Sequence, residues 1–191
     1  TSSRILNHLA NICEFPVNVV SLTGGVNYYL PNTRSSIFNA KLYLTPAPLL
    51  MASEDIVKAM EQEPSVKQIR HMATLAQMSI VGIGGVDSNA TLLTNGTLNH
   101  SDVLLLSMQG AVGDMLCHFI DKDGNVIQSS LERRLMSTPL EQLKEMSNSI
   151  GVAGGSTKSE AILAALKGNY LDVLITDETT ATNVLRLKNQ E

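Results

Sequence analysis

The chain has 191 residues, 43% hydrophobic and 17% charged, a balance that fits a globular chain with a core and excludes a disordered one. Its net charge is −4 and no block of Lys or Arg occurs, so the basic footprint of a direct nucleic-acid binder is missing from it. No apolar run reaches membrane-spanning length, and the two cysteines, Cys13 and Cys117, lack metal spacing, which fits a reduced, cytoplasmic protein without a membrane contact.

The predicted elements alternate along the chain. Ile5, Leu6, Leu9 and Ile12 make a helical stripe over Ser2 to Ile12. A chain that begins at Thr1 with no Met, and already reads as helical over residues 2–12, is expected to be a piece of a longer protein. Val17 to Leu22 predicts a strand that stops at Thr23-Gly24-Gly25, followed by a short helix from Ser35 to Ala40 and a short strand from Leu42 to Thr45. Ser53 caps a helix through Met60, with Glu54 and Asp55 suited to its first turn, and Pro64 starts another through about Ala76. Ser79 to Ile83 is a buried apolar strand closed by Gly84-Gly85, and Ser101-Asp102 caps a helix to Met108. Met115 to Ile120 predicts one strand, and Asp121 to Gly124 a turn. Pro139 opens the helix Leu140 to Met146. The strand Asn148 to Ala153, the helix Ser159 to Leu166, the strand Asp172 to Thr176 and a helix from Asp177 complete the chain. Short, apolar, unalternated strands between helices predict one α/β domain, Rossmann-like, with a mostly parallel sheet covered by helices on both faces.

In such a sheet, ligands bind beyond the carboxyl ends of the strands. Four strand ends here carry glycine or small polar residues: Thr23-Gly24-Gly25, Gly82 to Gly85, Gly110 to Asp114, and Gly154-Gly155-Ser156-Thr157-Lys158. The last follows a strand and opens a helix, so its backbone N–H groups and the helix dipole suit a phosphate. Lys158 sits where the dipole disfavours a lysine, which an intervening anion would explain. Walker A spacing is absent, and an ordinary strand-to-helix turn fits the same residues. Asp114 is the carboxylate of these turns and can accept hydrogen bonds from adjacent sugar or polyol hydroxyls, or bond its own backbone. His8, His71, His100 and His118 are scattered and lack ligand spacing, and no cofactor or metal is expected. Cys117 reads as a packed thiol. Tyr28 and Tyr29, after a glycine turn, fit either a ligand contact or packing.

Gly110-Ala111-Val112-Gly113-Asp114, followed by Phe119-Ile120-Asp121-Lys122-Asp123-Gly124, resembles a segment of the SorC-type transcriptional regulators. Gly151-Val152-Ala153-Gly154-Gly155 with Lys158, Ala161-Ile162 and Ala164 to Gly168 is similar to a second segment of that family, and Thr176-Asp177-Glu178-Thr179 with Ala181 to a third. Pro46-Ala47-Pro48 and Val81-Gly82-Ile83-Gly84 also fit, so the resemblance covers nearly the whole chain.

The resemblance implies an effector domain related in fold to sugar-phosphate isomerases. It would sense a phosphorylated sugar or polyol and act on operator DNA through a helix-turn-helix placed before this chain, as a homo-oligomer. Residue by residue, it implies that Lys158 holds the effector phosphate, in the cradle of Gly154, Gly155, Ser156 and Thr157 read above from the turn itself. Thr1 and Ser2 match the end of a turn whose helix also contacts phosphate. Asp114 takes sugar hydroxyls, Leu116 supplies backbone contacts, and Gly24 and Gly25 line the pocket; Tyr28 joins them as a sugar contact by its place after that glycine turn and not through the resemblance. Val86 stands where some relatives have an arginine, which argues against a second phosphate. The competing expectation is a sugar-phosphate isomerase or deaminase on the related fold. An isomerase needs an acid–base pair, and no second acid or histidine is clearly paired with Asp114 in the sequence.

Overall fold

Short strands and helices alternate much as the hydrophobic pattern predicts, in a computed structural model that describes residues 5, 8, 17–25, 40–86, 91–94 and 96–190. Thr1, Ser2, Tyr28 and Tyr29 lie outside the described residues. So do the expected helix at 2–12, apart from helical Ile5 and His8, and the expected helix at 35–40, apart from Ala40, which is strand. The chain divides into two compact units: residues 1–76 with 134–138, and residues 77–133 with 139–191.

In the first unit, β1 (Val17–Val20) and β2 (Ala40–Tyr43) pair in parallel. Ser53 caps α1 (Glu54–Gln62) by accepting from the Ile56 N–H at 3.4 Å. Pro64 begins α2 (Pro64–Thr74), where its missing N–H leaves no helical bond unmade. Ala47, Met51, Val57, Val66 and Met136 form a buried cluster against which Met60 packs. The glycine turn is held by its backbone: Gly24 N–H donates to the Met136 carbonyl at 2.7 Å and Gly25 N–H to the Ala47 carbonyl at 2.9 Å.

The second unit is built on a five-stranded sheet. Its strands are β3 (Ser79–Gly85), β4 (Gly113–Met115), β5 (His118–Ile120), β6 (Ser149–Val152) and β7 (Val173–Ile175). Their spatial order is β5-β4-β3-β6-β7. β3, β6 and β7 run parallel, while β4 and β5 form an antiparallel hairpin, so the sheet is mixed. The helices of this unit are α3 (Thr91–Thr94), α4 (His100–Met108), α5 (Leu140–Glu145), α6 (Ser159–Lys167) and α7 (Glu178–Lys188). α6 contacts β3, β4, β5 and α7, which explains its buried run Ala161 to Ala165. Val81, Ile83, Met115, Ile120 and Ile162 are at most 2% exposed and form the centre of the core. Each such side chain contributes about 1.5–3 kcal/mol by leaving water. Among the described residues, no helix is long and apolar enough to cross a membrane.

Two expectations need correction. The single strand expected from Met115 to Ile120 is a hairpin whose two turn residues, Leu116 and Cys117, have φ of 51° and 69°. Two positive φ values give the primed turn that matches strand twist, but glycine or asparagine usually supplies them. Here apolar residues adopt that conformation, so the sequence reads as an unbroken strand. The helix expected from Ser101 is capped by Asn99 instead. Asn99 Oδ1 accepts from the Asp102 N–H at 2.9 Å, and Asp102 Oδ2 accepts from the Asn99 N–H at 3.0 Å. Asp102 is thus the third residue of a reciprocal capping box.

Candidate functional site

The hairpin puts chemistry at the carboxyl end of β3. Because β4 runs antiparallel to β3, its beginning lies beside the end of β3, and Asp114 is directly opposite Gly84. A methyl group on Gly84 would overlap Asp114 Oδ1, so the carboxylate lies across a position that only glycine leaves open. The chain leaving β6, the neighbour of β3 on its other side, enters a 3₁₀ turn at Ser156–Lys158 and then α6. From that turn the Lys158 ammonium reaches back and donates to the Ile83 carbonyl at 3.0 Å. Asp114 and Lys158, 44 positions apart in sequence, thus converge on one strand end.

Burial pushes the Asp114 carboxyl up to about 6. The Cys117 backbone N–H, which donates to it, and the charges of Lys158 and His118 pull the other way without cancelling that effect. The same burial, with Asp114 adding to it, pushes the Cys117 thiol well above its ordinary range, so a thiolate nucleophile is disfavoured there. His118 is buried and shares a 2.7 Å hydrogen bond between Nδ1 and Glu132 Oε1. A cleft of about 510 Å³ lies against His118, Glu132, Lys144, Lys167 and Tyr170, and neither Asp114 nor Lys158 lines it.

A raised acid has a signed consequence for stability. The folded state holds the Asp114 proton more tightly than the unfolded chain does. This contribution is therefore full below the ordinary 3.8 and is lost as the pH rises through about 6. Asp114→Asn is expected to remove that slope. The variant should be more stable than the parent at pH 7.5, by on the order of 2–3 kcal/mol, and equal to it below pH 4. Denaturant melts of both chains across that range check it, and parallel curves would refute it.

The glycine loop is tied differently from what its spacing implies. Gly155 has φ 111°, a conformation open to glycine, and its N–H does not face outward. It donates to Thr180 Oγ1 at 2.8 Å and to Asp177 Oδ2 at 3.1 Å. A Cβ on Gly154 would stand 2.7 Å from the same Asp177 oxygen. The Lys158 N–H is also engaged, by the Gly155 carbonyl at 3.0 Å. The side chains of Ser156 and Thr157 are exposed. Leu116 lies in the hairpin turn beside Asp114, while Gly24 and Gly25 belong to the first unit. The sequence reading placed Gly84 in a glycine strand end but missed its fit against Asp114, and with it the Ile83 carbonyl, the Cys117 N–H and Thr180. Three of these act through backbone or through the lack of a side chain, which leaves no chemical signature. Among the described residues, no cluster of His, Cys, Asp and Glu is arranged to hold a metal ion.

Comparison with known proteins gives a consistent picture. The family model described as "Putative sugar-binding domain" matches residues 1–186. The transcriptional regulator LsrR of Klebsiella pneumoniae is 36% identical over 186 residues, covering 95% of this chain and 58% of that protein. The chain therefore spans less than two thirds of the length of that relative. Among solved structures, a DeoR family transcriptional regulator from Listeria monocytogenes superposes with a TM-score of 0.83 at 21% identity, over 95% of this chain and 74% of that one. The full-length sorbitol operon regulator SorC from Klebsiella pneumoniae gives 0.74 at 25% identity, over 88% of this chain and 58% of that one. With the family model spanning nearly all of its length, the chain belongs to the sugar-binding domain family of SorC-type regulators.

Proposed function

We propose that this chain is the effector-binding part of a transcriptional regulator and that its ligand is a phosphorylated sugar or polyol. The observation that carries this reading is the meeting of Asp114 and Lys158 at the end of β3. An ionised carboxylate accepts from neighbouring hydroxyls, and an ammonium beside it pairs with a phosphate, so together they select a molecule bearing both. Ser156 and Thr157 flank the lysine and add hydroxyl donors to the phosphate end. The Leu116 backbone borders the sugar end. Operator binding belongs to a helix-turn-helix outside this chain, and self-association would present two such units at a fixed spacing.

The test is calorimetry with a panel of phosphorylated sugars and polyols, each compared with its unphosphorylated form. A ligand at a hundred times its Kd should also stabilise the fold by about 2.7 kcal/mol. With full-length protein, the same compound should change both operator affinity and sedimentation. If no phosphorylated compound binds better than its parent sugar, the reading fails. Turnover of a sugar phosphate that disappears in Asp114→Asn would favour the isomerase instead.

A further inference from the structure

The segment Thr176 to Ala181 closes the sequence resemblance, yet the proposed site makes no use of it. Its geometry gives it a task. Asp177 is the N-cap of α7: its Oδ1 accepts from the Thr180 N–H at 2.9 Å and its Oδ2 from the Thr180 hydroxyl at 2.6 Å. Those two contacts alone would be an ordinary helix cap. The Gly155 N–H then bonds to both Oδ2 and Thr180 Oγ1, from across the adjacent β6–α6 connection. Thr180 is fully buried, so its hydroxyl has no water to exchange with. Gly155 in turn accepts the Lys158 N–H, and Lys158 carries the ammonium that reaches Ile83. Hydrogen bonds through Thr180 and Gly155, continued by the Lys158 side chain itself, therefore link the cap of one helix to the charged atom at the end of β3.

We infer that Thr180 and Asp177 are positioning residues for the effector phosphate, acting by clamping Gly155 so that the Ser156–Lys158 turn presents the Lys158 ammonium at the end of β3. This rests on the effector reading above. The cap is held as a carboxylate, because the Thr180 hydroxyl and N–H and the Gly155 N–H all favour the ionised form of Asp177. The clamp therefore stays closed at neutral pH. Asp177 alone is an uninformative target, because its loss also uncaps α7. Thr180 separates the two roles, since its backbone N–H keeps the cap whatever its side chain is.

The experiment compares the full chain with Thr180→Val, which keeps shape but removes the hydroxyl, and Thr180→Ser, which restores it. Amide hydrogen exchange is read at Gly155 and Lys158 without ligand. Kd is read for inorganic phosphate and for the best phosphorylated sugar and its unphosphorylated parent, well below each melting temperature. Thr180→Val is expected to speed exchange at Gly155 and Lys158 while Ile162 to Ala165 stay protected. It should weaken phosphate and phosphosugar by about tenfold and leave the parent sugar unchanged. Thr180→Ser should restore both readouts. Faster exchange with unchanged phosphate affinity would overturn the positioning role while leaving the effector reading intact. Unchanged exchange would overturn the clamp itself. Absence of phosphate and phosphosugar binding in the parent chain would overturn both.

Discussion

Lys158→Ala should cost a phosphorylated ligand about 1.5–3 kcal/mol of binding free energy, the usual worth of a charge-assisted hydrogen bond. The fold should be barely affected. Lys158 is part-exposed, its ammonium hydrogen-bonds a strand-end carbonyl, Ile83, and its charge is one of several influences on Asp114. The loss should also depend on the ligand's charge. The parent sugar without phosphate should bind the variant and the unaltered chain alike, so the Kd ratio of phosphorylated to plain sugar should collapse. Calorimetry of both ligands against both chains reads that ratio directly. An unchanged ratio would remove Lys158 from the phosphate site.

Gly84→Ala should be as damaging to sugar recognition, by a route that involves no contact with the ligand. The new methyl would occupy the place of Asp114 Oδ1. What yields is the end of a side chain and not backbone, so the Asp114 carboxyl swings away and the sheet survives. Binding of the sugar portion should fall to the level of Asp114→Asn, again by about 1.5–3 kcal/mol for hydrogen bonds to a charged acceptor. The double variant should be no weaker than either single one, because both remove the same group. Inorganic phosphate should bind both singles and the double as it binds the unaltered chain. An additive loss in the double variant would show that Gly84 and Asp114 act separately.

The fold was legible where local chemistry is loud. Ser53 with Glu54 and Asp55, Pro64, and the apolar run Ser79 to Ile83 each carry a start signal or a burial pattern that packing then honours. It was illegible at the hairpin, where Leu116 and Cys117 take positive φ without a residue that announces it. Asp102 misled by being a good cap residue at the wrong place in its own capping box. For the candidate site, Asp114 and Lys158 stood out as charges among glycines. Their convergence on one strand end depends on β4 running antiparallel beside β3, a pairing between segments about 30 residues apart that no local pattern encodes. Gly155 was read as a donor to a ligand from its place in a glycine turn. Thr180, which takes that N–H, lies 25 positions further on, in a different helix.

The two-residue turn at Leu116 and Cys117 has a consequence for how this domain can change. Met115 and His118 flank the turn as a cross-strand pair, Asp114 lies opposite Phe119 one step further out, and this register is set by counting residues from the turn. Adding or deleting one residue would shift one strand by a single step, and in a sheet a single step exchanges the two faces. Either Asp114 would leave the strand end it shares with Lys158, or Phe119 would give up its place inside. Length variation in this lineage should therefore accumulate in other loops. Position for position, the four residues from Met115 to His118 should be the stretch least tolerant of insertion.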